Sequence, residues 1–140
     1  MAELFVDTNI FLRFLTDDVP DQAQAVERLL KRAEAGEVAL RTNVLVVAEI
    51  VWTLESYYQR PKDEIAEMVL AILNTPGLQV ENAEILARAA SIYAEANIDF
   101  IDAYSAVWLH EQGLSKAVTF NTRHFNRAGE IEALTPDEVI

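Results

Sequence analysis

Short apolar runs that stop at a polar residue alternate along this chain with segments whose apolar residues recur every three or four positions. A run such as Glu3 to Val6 (ELFV), ending at Asp7, reads as a short buried strand. Asn9 to Leu15 reads as a short helix, and Asp18 to Pro20 as a break. From Asp21 to Ala35 the apolar positions Ala25, Val26, Leu29, Leu30 and Ala33 mark a helix closed by Gly36. Val38 to Arg41 is a second strand, with Thr42 and Asn43 as N-cap candidates for a helix from Val44 to Tyr58.

The pattern then repeats. A helix is expected from Lys62 to Leu73, a strand from Leu78 to Val80, and helices from Asn82 to about Ala96 and from Asp99 to about Gln112, the last ended by Gly113. Lys116 to Phe120 (KAVTF) is a further strand, followed by a short polar turn with Arg123 and His124, and Ile131 to Leu134 is an edge strand. Strands alternating with helices predict an α/β fold with a mainly parallel sheet and helices on both faces. The four prolines fall at segment boundaries, and there is no repeat or Gly/Ser linker, so residues 1–140 read as a single domain.

Composition narrows the class further. A chain of 140 residues, 51% of them hydrophobic, has enough apolar material for a core without crosslinks. With no Cys, disulfide scaffolds, thiolate metal sites and thiol nucleophiles are all excluded. The most apolar stretch, Val44 to Leu54, is 11 residues long and contains Glu49. Roughly 18 or more are needed to span a bilayer, so no membrane association is expected. The first residues, MAELFVDTN, carry acids and no basic region, unlike a signal peptide, and a cytoplasmic location is expected. Against 11 Lys and Arg stand 23 Asp and Glu, a net charge of −12, which argues against gripping nucleic acid through a broad basic face. A nucleic-acid enzyme of this charge needs something local, such as a bound cation or a small basic rim.

Parallel topology says where such a cation would sit, because ligands of open α/β sheets bind at the carboxyl ends of the strands. Asp7, with Thr8 and Asn9, ends the first strand, and Asn121 follows the strand that begins at Lys116. The helix starting at Asp99 precedes that strand and runs antiparallel to it, which brings Asp102 to the same edge. Glu49 lies six residues into its helix, about 9 Å at about 1.5 Å per residue, and its side chain leans back toward the N-terminus. Its neighbours at three and four positions are Leu45, Val46, Trp52 and Thr53, so it is expected to share a buried apolar face and to need a partner there.

Each acid also has an ordinary structural role open to it. Asp7 can form a turn or cap a helix, Glu49 can be solvated at the helix edge or satisfied by a core hydroxyl, and Asp99 with Asp102 resembles a capping arrangement. Taken together, three carboxylates at one edge repel one another unless a cation resides among them, and hard divalent ions prefer oxygen ligands. Ser105 and Thr119 are candidates to support the metal-bound carboxylates. His110 and His124 lack the spacing of a zinc pair; His110 reads as a surface helix residue, and His124 with Arg123 as a solvated turn, with contact to a phosphate as the alternative.

The segments VDTN at 6–9, VVAEIVW around Glu49, FIDAYSA at 100–106 and VTFNTRHF at 118–125 together resemble the PIN-domain nucleases, and within them the VapC-like toxins of toxin–antitoxin pairs. The resemblance implies a three-layer α/β/α sandwich with a central, mainly parallel sheet. It also implies a Mg²⁺- or Mn²⁺-dependent endoribonuclease leaving 5′-phosphate and 3′-hydroxyl ends. Asp7, Glu49 and Asp102 would be its metal ligands, with Asn9 and Thr119 lining the site. Arg13, Arg41 and Arg123 would be rim contacts to RNA. A small antitoxin protein and a homodimer are the implied partners, with the apolar surfaces of 44–58 and 65–73 available for self-association.

The chain departs from the family pattern at Asn121, where a fourth acid is common. An amide can orient water or offer one oxygen but adds no charge, which weakens a second metal position, and Asp99 is the nearest residue able to compensate. The same departure leaves open a second reading, a catalytically weak PIN-like module acting through a protein partner. A phosphoacceptor domain fits less well, because it needs an acid pair at the first strand and a late Lys.

Overall fold

The computed structural model describes residues 2–129 and 131–139, and these fall into two compact units divided between Ala83 and Glu84. In the first, β1 (Ala2–Phe5), α1 (Thr8–Thr16), α2 (Pro20–Glu34), β2 (Val38–Thr42), α3 (Val44–Ser56), α4 (Lys62–Leu73) and β3 (Leu78–Val80) follow one another. The three strands make a parallel sheet in the order β1-β2-β3, with Leu4 opposite Leu40 and Leu40 opposite Leu78.

Helix ends in this unit obey local chemistry. Pro20 occupies the first turn of α2, where its missing N–H costs nothing. Gly36 follows that helix at φ +79°. Asn43 caps α3, its side chain accepting from the Val46 N–H at 3.0 Å. Thr42, the other cap candidate, instead ends β2, where its buried hydroxyl donates to the Val6 carbonyl at 2.8 Å. The core gathers Leu40 from the sheet, Val47, Ile50 and Leu54 from α3, and Ile65 and Val69 from α4, all buried. α3 packs against both α1 and α4.

Two expectations for this unit change. β1 is not a buried strand: Leu4 and Phe5 are exposed and only Val6, just beyond it, is buried, because β1 is an edge of its three-stranded sheet. Glu49 does not lie on a buried face either. It is exposed, and of its neighbours Leu45 and Trp52 are exposed while Val46 is buried. α3 is apolar almost all the way round, so periodicity could not tell which side faces the core.

The second unit contains α5 (Ala83–Glu95), α6 (Phe100–Glu111), β4 (Lys116–Val118), α7 (Thr122–Arg127), β5 (Glu132–Leu134) and α8 (Pro136–Val139), the first residue of α5 being the last of the preceding unit. β4 and β5 pair in parallel. Ala106, Leu109 and Phe125 form a small core against Ala117, Ala128, Ile131 and Ala133, and Tyr93 meets Phe100 edge to face at 5.6 Å. The segment expected to be a polar turn is the helix α7, whose Phe125 is buried in that core. Its shortness and polarity hid the helix, since one apolar anchor in six residues shows no period. β4 is correspondingly shorter than predicted, and Asn121 is the N-cap of α7 rather than the end of the strand. No helix among the described residues is long and apolar enough to cross a membrane.

Gly77 is where backbone freedom matters most. At φ +79° it brings the chain into β3 against α2, and a Cβ there would lie 2.4 Å from the Ala33 carbonyl oxygen. Gly36 has the same φ with open space around it. Gly77→Ala is therefore expected to lose about 2–5 kcal/mol, combining left-handed strain with overlap against backbone, and Gly36→Ala only about 1–2 kcal/mol. Denaturant melts of the two variants check the difference; equal losses would mean that the helix gives way.

The link between α1 and α2 is tied by Asp18, which accepts from the Tyr58 hydroxyl at 2.7 Å and the Thr16 hydroxyl at 2.9 Å and pairs with Arg13 at 3.2 Å. The Tyr58 bond is the largest influence and lowers the Asp18 carboxyl below its ordinary value near 3.8; desolvation opposes it, and Thr16 and Arg13 add smaller lowering effects. A depressed folded value stabilises above the unfolded pKa and ceases to do so as pH falls through the folded one. Tyr58→Phe should accordingly melt below wild type at neutral pH, and the gap should narrow below about pH 4. A gap independent of pH would assign the loss to packing of the ring.

Candidate active site

In the first unit the chain leaves β1, passes Val6 and turns into α1. Asp7 stands at the N-cap with extended backbone, φ −92° and ψ 177°, yet its side chain makes no capping hydrogen bond. The helix-cap role open to Asp7 is thus not the one its carboxylate performs. Thr8 is buried in the first turn of α1, and its hydroxyl donates a short hydrogen bond to Glu49 Oε1. One turn of α1 therefore carries Asp7 and holds the Glu49 carboxylate of α3. Asn9 is exposed on the same turn.

Neither Asp7 nor Glu49 is paired with a Lys or Arg among the described residues. Arg13 is occupied by Asp18 and Gln22, and Arg41 lies 3.9 Å from Glu3.

In the second unit Asp99 caps α6, its carboxylate accepting from the Ile101 N–H at 3.2 Å. One face of that carboxylate is thereby used by the helix. Asp102, in the first turn of α6, is half-buried and points to α7. His124 Nδ1 lies 2.7 Å from Asp102 Oδ2, and the Asn121 amide nitrogen donates to the same oxygen at 3.4 Å. Asn121 Nδ2 and His124 Nδ1 are 2.9 Å apart. Thr119 shapes the turn before α7, its hydroxyl accepting from the Asn121 N–H at 2.9 Å. Ser105 is half-buried on α6. Neither Ser105 nor Thr119 bonds Asp102 among the described residues, so the support sought from hydroxyls comes from an imidazole and an amide.

His124 is the residue that sequence reasoning undervalued. As a turn residue it had no defined direction; as the third residue of α7 it sits one helical turn after the Asn121 cap, and both side chains meet Asp102. The signal was present as Asn and His three apart ahead of an apolar Phe125, but only a helix gives that spacing a meaning. Arg123, the next residue back, is exposed, as is His110 on α6.

Within each unit, no group of three or more His, Cys, Asp or Glu among the described residues is arranged to hold a metal ion. What each unit offers is hard oxygen chemistry. Asp7 and Glu49 present anionic oxygens without a basic partner, and Asp102 has one oxygen engaged by His124 and Asn121. In each unit these are hard oxygen donors, the kind that Mg²⁺ and Mn²⁺ prefer.

The sequence profile of the PIN domain matches residues 4–131, which takes in all of these positions. The chain belongs to the PIN-domain family. A VapC ribonuclease of Aquifex aeolicus (strain VF5) is 26% identical over 124 residues, covering 89% of this chain and 90% of that protein. Parallel strands alternating with helices are the architecture of the family, as the sequence pattern predicted.

The two N-caps of the first unit make a direct test of what Asp7 is for. Asn43→Ala removes an observed cap and should cost about 1 kcal/mol. Asp7→Asn removes a charge that caps nothing, and its stability in chelator should stay within about 0.5 kcal/mol of wild type. Thermal melts on the same buffer decide; a loss at Asp7 matching that at Asn43 would make it a structural turn residue.

Proposed function

We propose that this protein is a Mg²⁺- or Mn²⁺-dependent endoribonuclease acting as the toxin of a toxin–antitoxin pair, with Asp7, Glu49 and Asp102 as metal ligands. The family match from residue 4 to 131 carries this reading, because it spans every acid assigned and the length of a similar VapC ribonuclease. Asp7, Glu49 and Asp102 would hold a divalent ion, which would supply charge stabilisation at the phosphodiester and a more acidic water.

The chain's own residues have distinct tasks in this reading. Asp7 supplies an oxygen free of any cap. Thr8 holds Glu49 in one rotamer, which reduces the entropy lost when that carboxylate becomes a ligand. His124 and Asn121 hold Asp102. Asn9, Asp99, Ser105 and Thr119 complete the polar surroundings. A net charge of −12 repels RNA at long range, so the anionic oxygens must be neutralised locally before a phosphate can approach.

RNA is the substrate in this reading, and a small antitoxin is the protein partner. A homodimer is supported by Leu45, Trp52 and Tyr57, which are exposed on or beside α3, whereas Ile65, Val69 and Ile72 of α4 are buried in the core and serve packing instead. We place the protein in the cytoplasm, acting as one domain. Asn121 in place of a fourth acid favours the alternative of a binding module with weak cleavage.

Cleavage of structured RNA with Mg²⁺ or Mn²⁺, against a chelator control, separates the two. Wild type should cut only with metal, and Asp7→Asn, Glu49→Gln and Asp102→Asn should each lose about 100-fold or more, the scale for removing one electrostatic contributor to a hydrolytic transition state. Tight partner binding with no metal-dependent cleavage would support the module.

A further inference from the structure

We infer that His124 is a positioning residue, which fixes Asp102 so that a single carboxylate oxygen, Oδ1, is left to meet a divalent cation. The inference rests on the ribonuclease reading and deepens it. Nδ1 approaches Oδ2 at 2.7 Å, a distance at which a bare ring nitrogen and a carboxylate would oppose lone pair to lone pair. The proton therefore lies on Nδ1 and is donated to Oδ2. The Asn121 amide lies beside both groups, 2.9 Å from Nδ1 and 3.4 Å from Oδ2, so the imidazole N–H is the bond that fixes Oδ2.

Three consequences follow from that geometry. The carboxylate of Asp102 is held in one rotamer by contacts from another helix, with its side chain about three-quarters covered, the relative exposure being 24%. Its ligand capacity is reduced to one oxygen, because an oxygen accepting a 2.7 Å hydrogen bond is a poor bridge between two ions. An acid at position 121 would put a second carboxylate against Oδ2, whereas the amide there supplies a donor. The absence of a fourth acid thus belongs with His124: the pair supports one ligand oxygen rather than charging a second metal position.

The test uses the full chain, with Mn²⁺ alone as the probe in calorimetry. His124→Asn places an amide nitrogen where Nδ1 was and should bind Mn²⁺ within about three-fold of wild type. His124→Phe keeps bulk without a donor and should bind about 10–100-fold more weakly. His124→Gln, whose amide falls at the position of Nε2 instead, should resemble Phe and serves if the Phe variant melts early in chelator. Nitrogen chemical shifts supply a readout independent of metal: Nδ1 of His124 should be the protonated ring nitrogen in wild type, and Asp102→Asn should remove that preference.

If wild type cleaves RNA and the Phe and Gln variants bind Mn²⁺ as tightly as wild type, the positioning role is overturned and the ribonuclease reading stands. Proton residence on Nε2 in wild type would overturn it equally. If wild type neither binds Mn²⁺ nor cleaves RNA, the ribonuclease reading falls, and the role of His124 toward a metal falls with it.

Discussion

Parallel pairing of β1 on β2 decides where the first strand of this protein stops, and what stands at its end depends on that. The ladder runs from Ala2 opposite Val38 to Phe5 opposite Arg41, and is extended by the Val6 N–H donating to the Arg41 carbonyl at 2.9 Å. The Thr42 hydroxyl then takes the Val6 carbonyl. With both backbone groups of Val6 satisfied and its side chain buried, the chain is free to turn only at Asp7. A shift of one residue would exchange Val6 with Asp7 and drive a carboxylate into the core, so register and the position of the acid are one constraint.

Beyond that edge, the acids are held by side chains that carry no permanent positive charge. A hydroxyl holds Glu49, and an imidazole with an amide holds Asp102. Basic residues are spent elsewhere, in exposed pairs such as Lys31 with Glu27 and Arg88 with Glu111. An Arg beside Glu49 or Asp102 would have stabilised the metal-free protein and competed with a cation for the same oxygens. Hydrogen-bond donors fix the geometry of these carboxylates without neutralising their charge, as the proposed divalent-ion site would require.

Asn121 takes its meaning from the same reasoning. Considered alone it is a missing acid. Placed at the N-cap of α7, one turn before His124, it becomes part of the hydrogen bonding around Asp102. Asp99 is engaged by the end of α6 and has less freedom to make up the charge.

Local chemistry in the sequence was enough to determine most elements. The helix from Lys62 to Leu73 and the strand from Leu78 to Val80 are as predicted, Asn43 and Asp99 cap as their residue types demand, and alternation of strands with helices gave the parallel class. These features are set within a few residues of chain, by periodicity and capping, and need no knowledge of the fold. What tertiary structure decided were the questions of direction. Which side of α3 is covered, whether Asp7 caps its helix, and that a polar hexapeptide is a helix placing His124 on Asp102 all depend on residues distant in sequence. An all-round apolar helix has no preferred face, and a six-residue helix has too few hydrogen bonds to form unaided, so each takes its orientation from what it packs against.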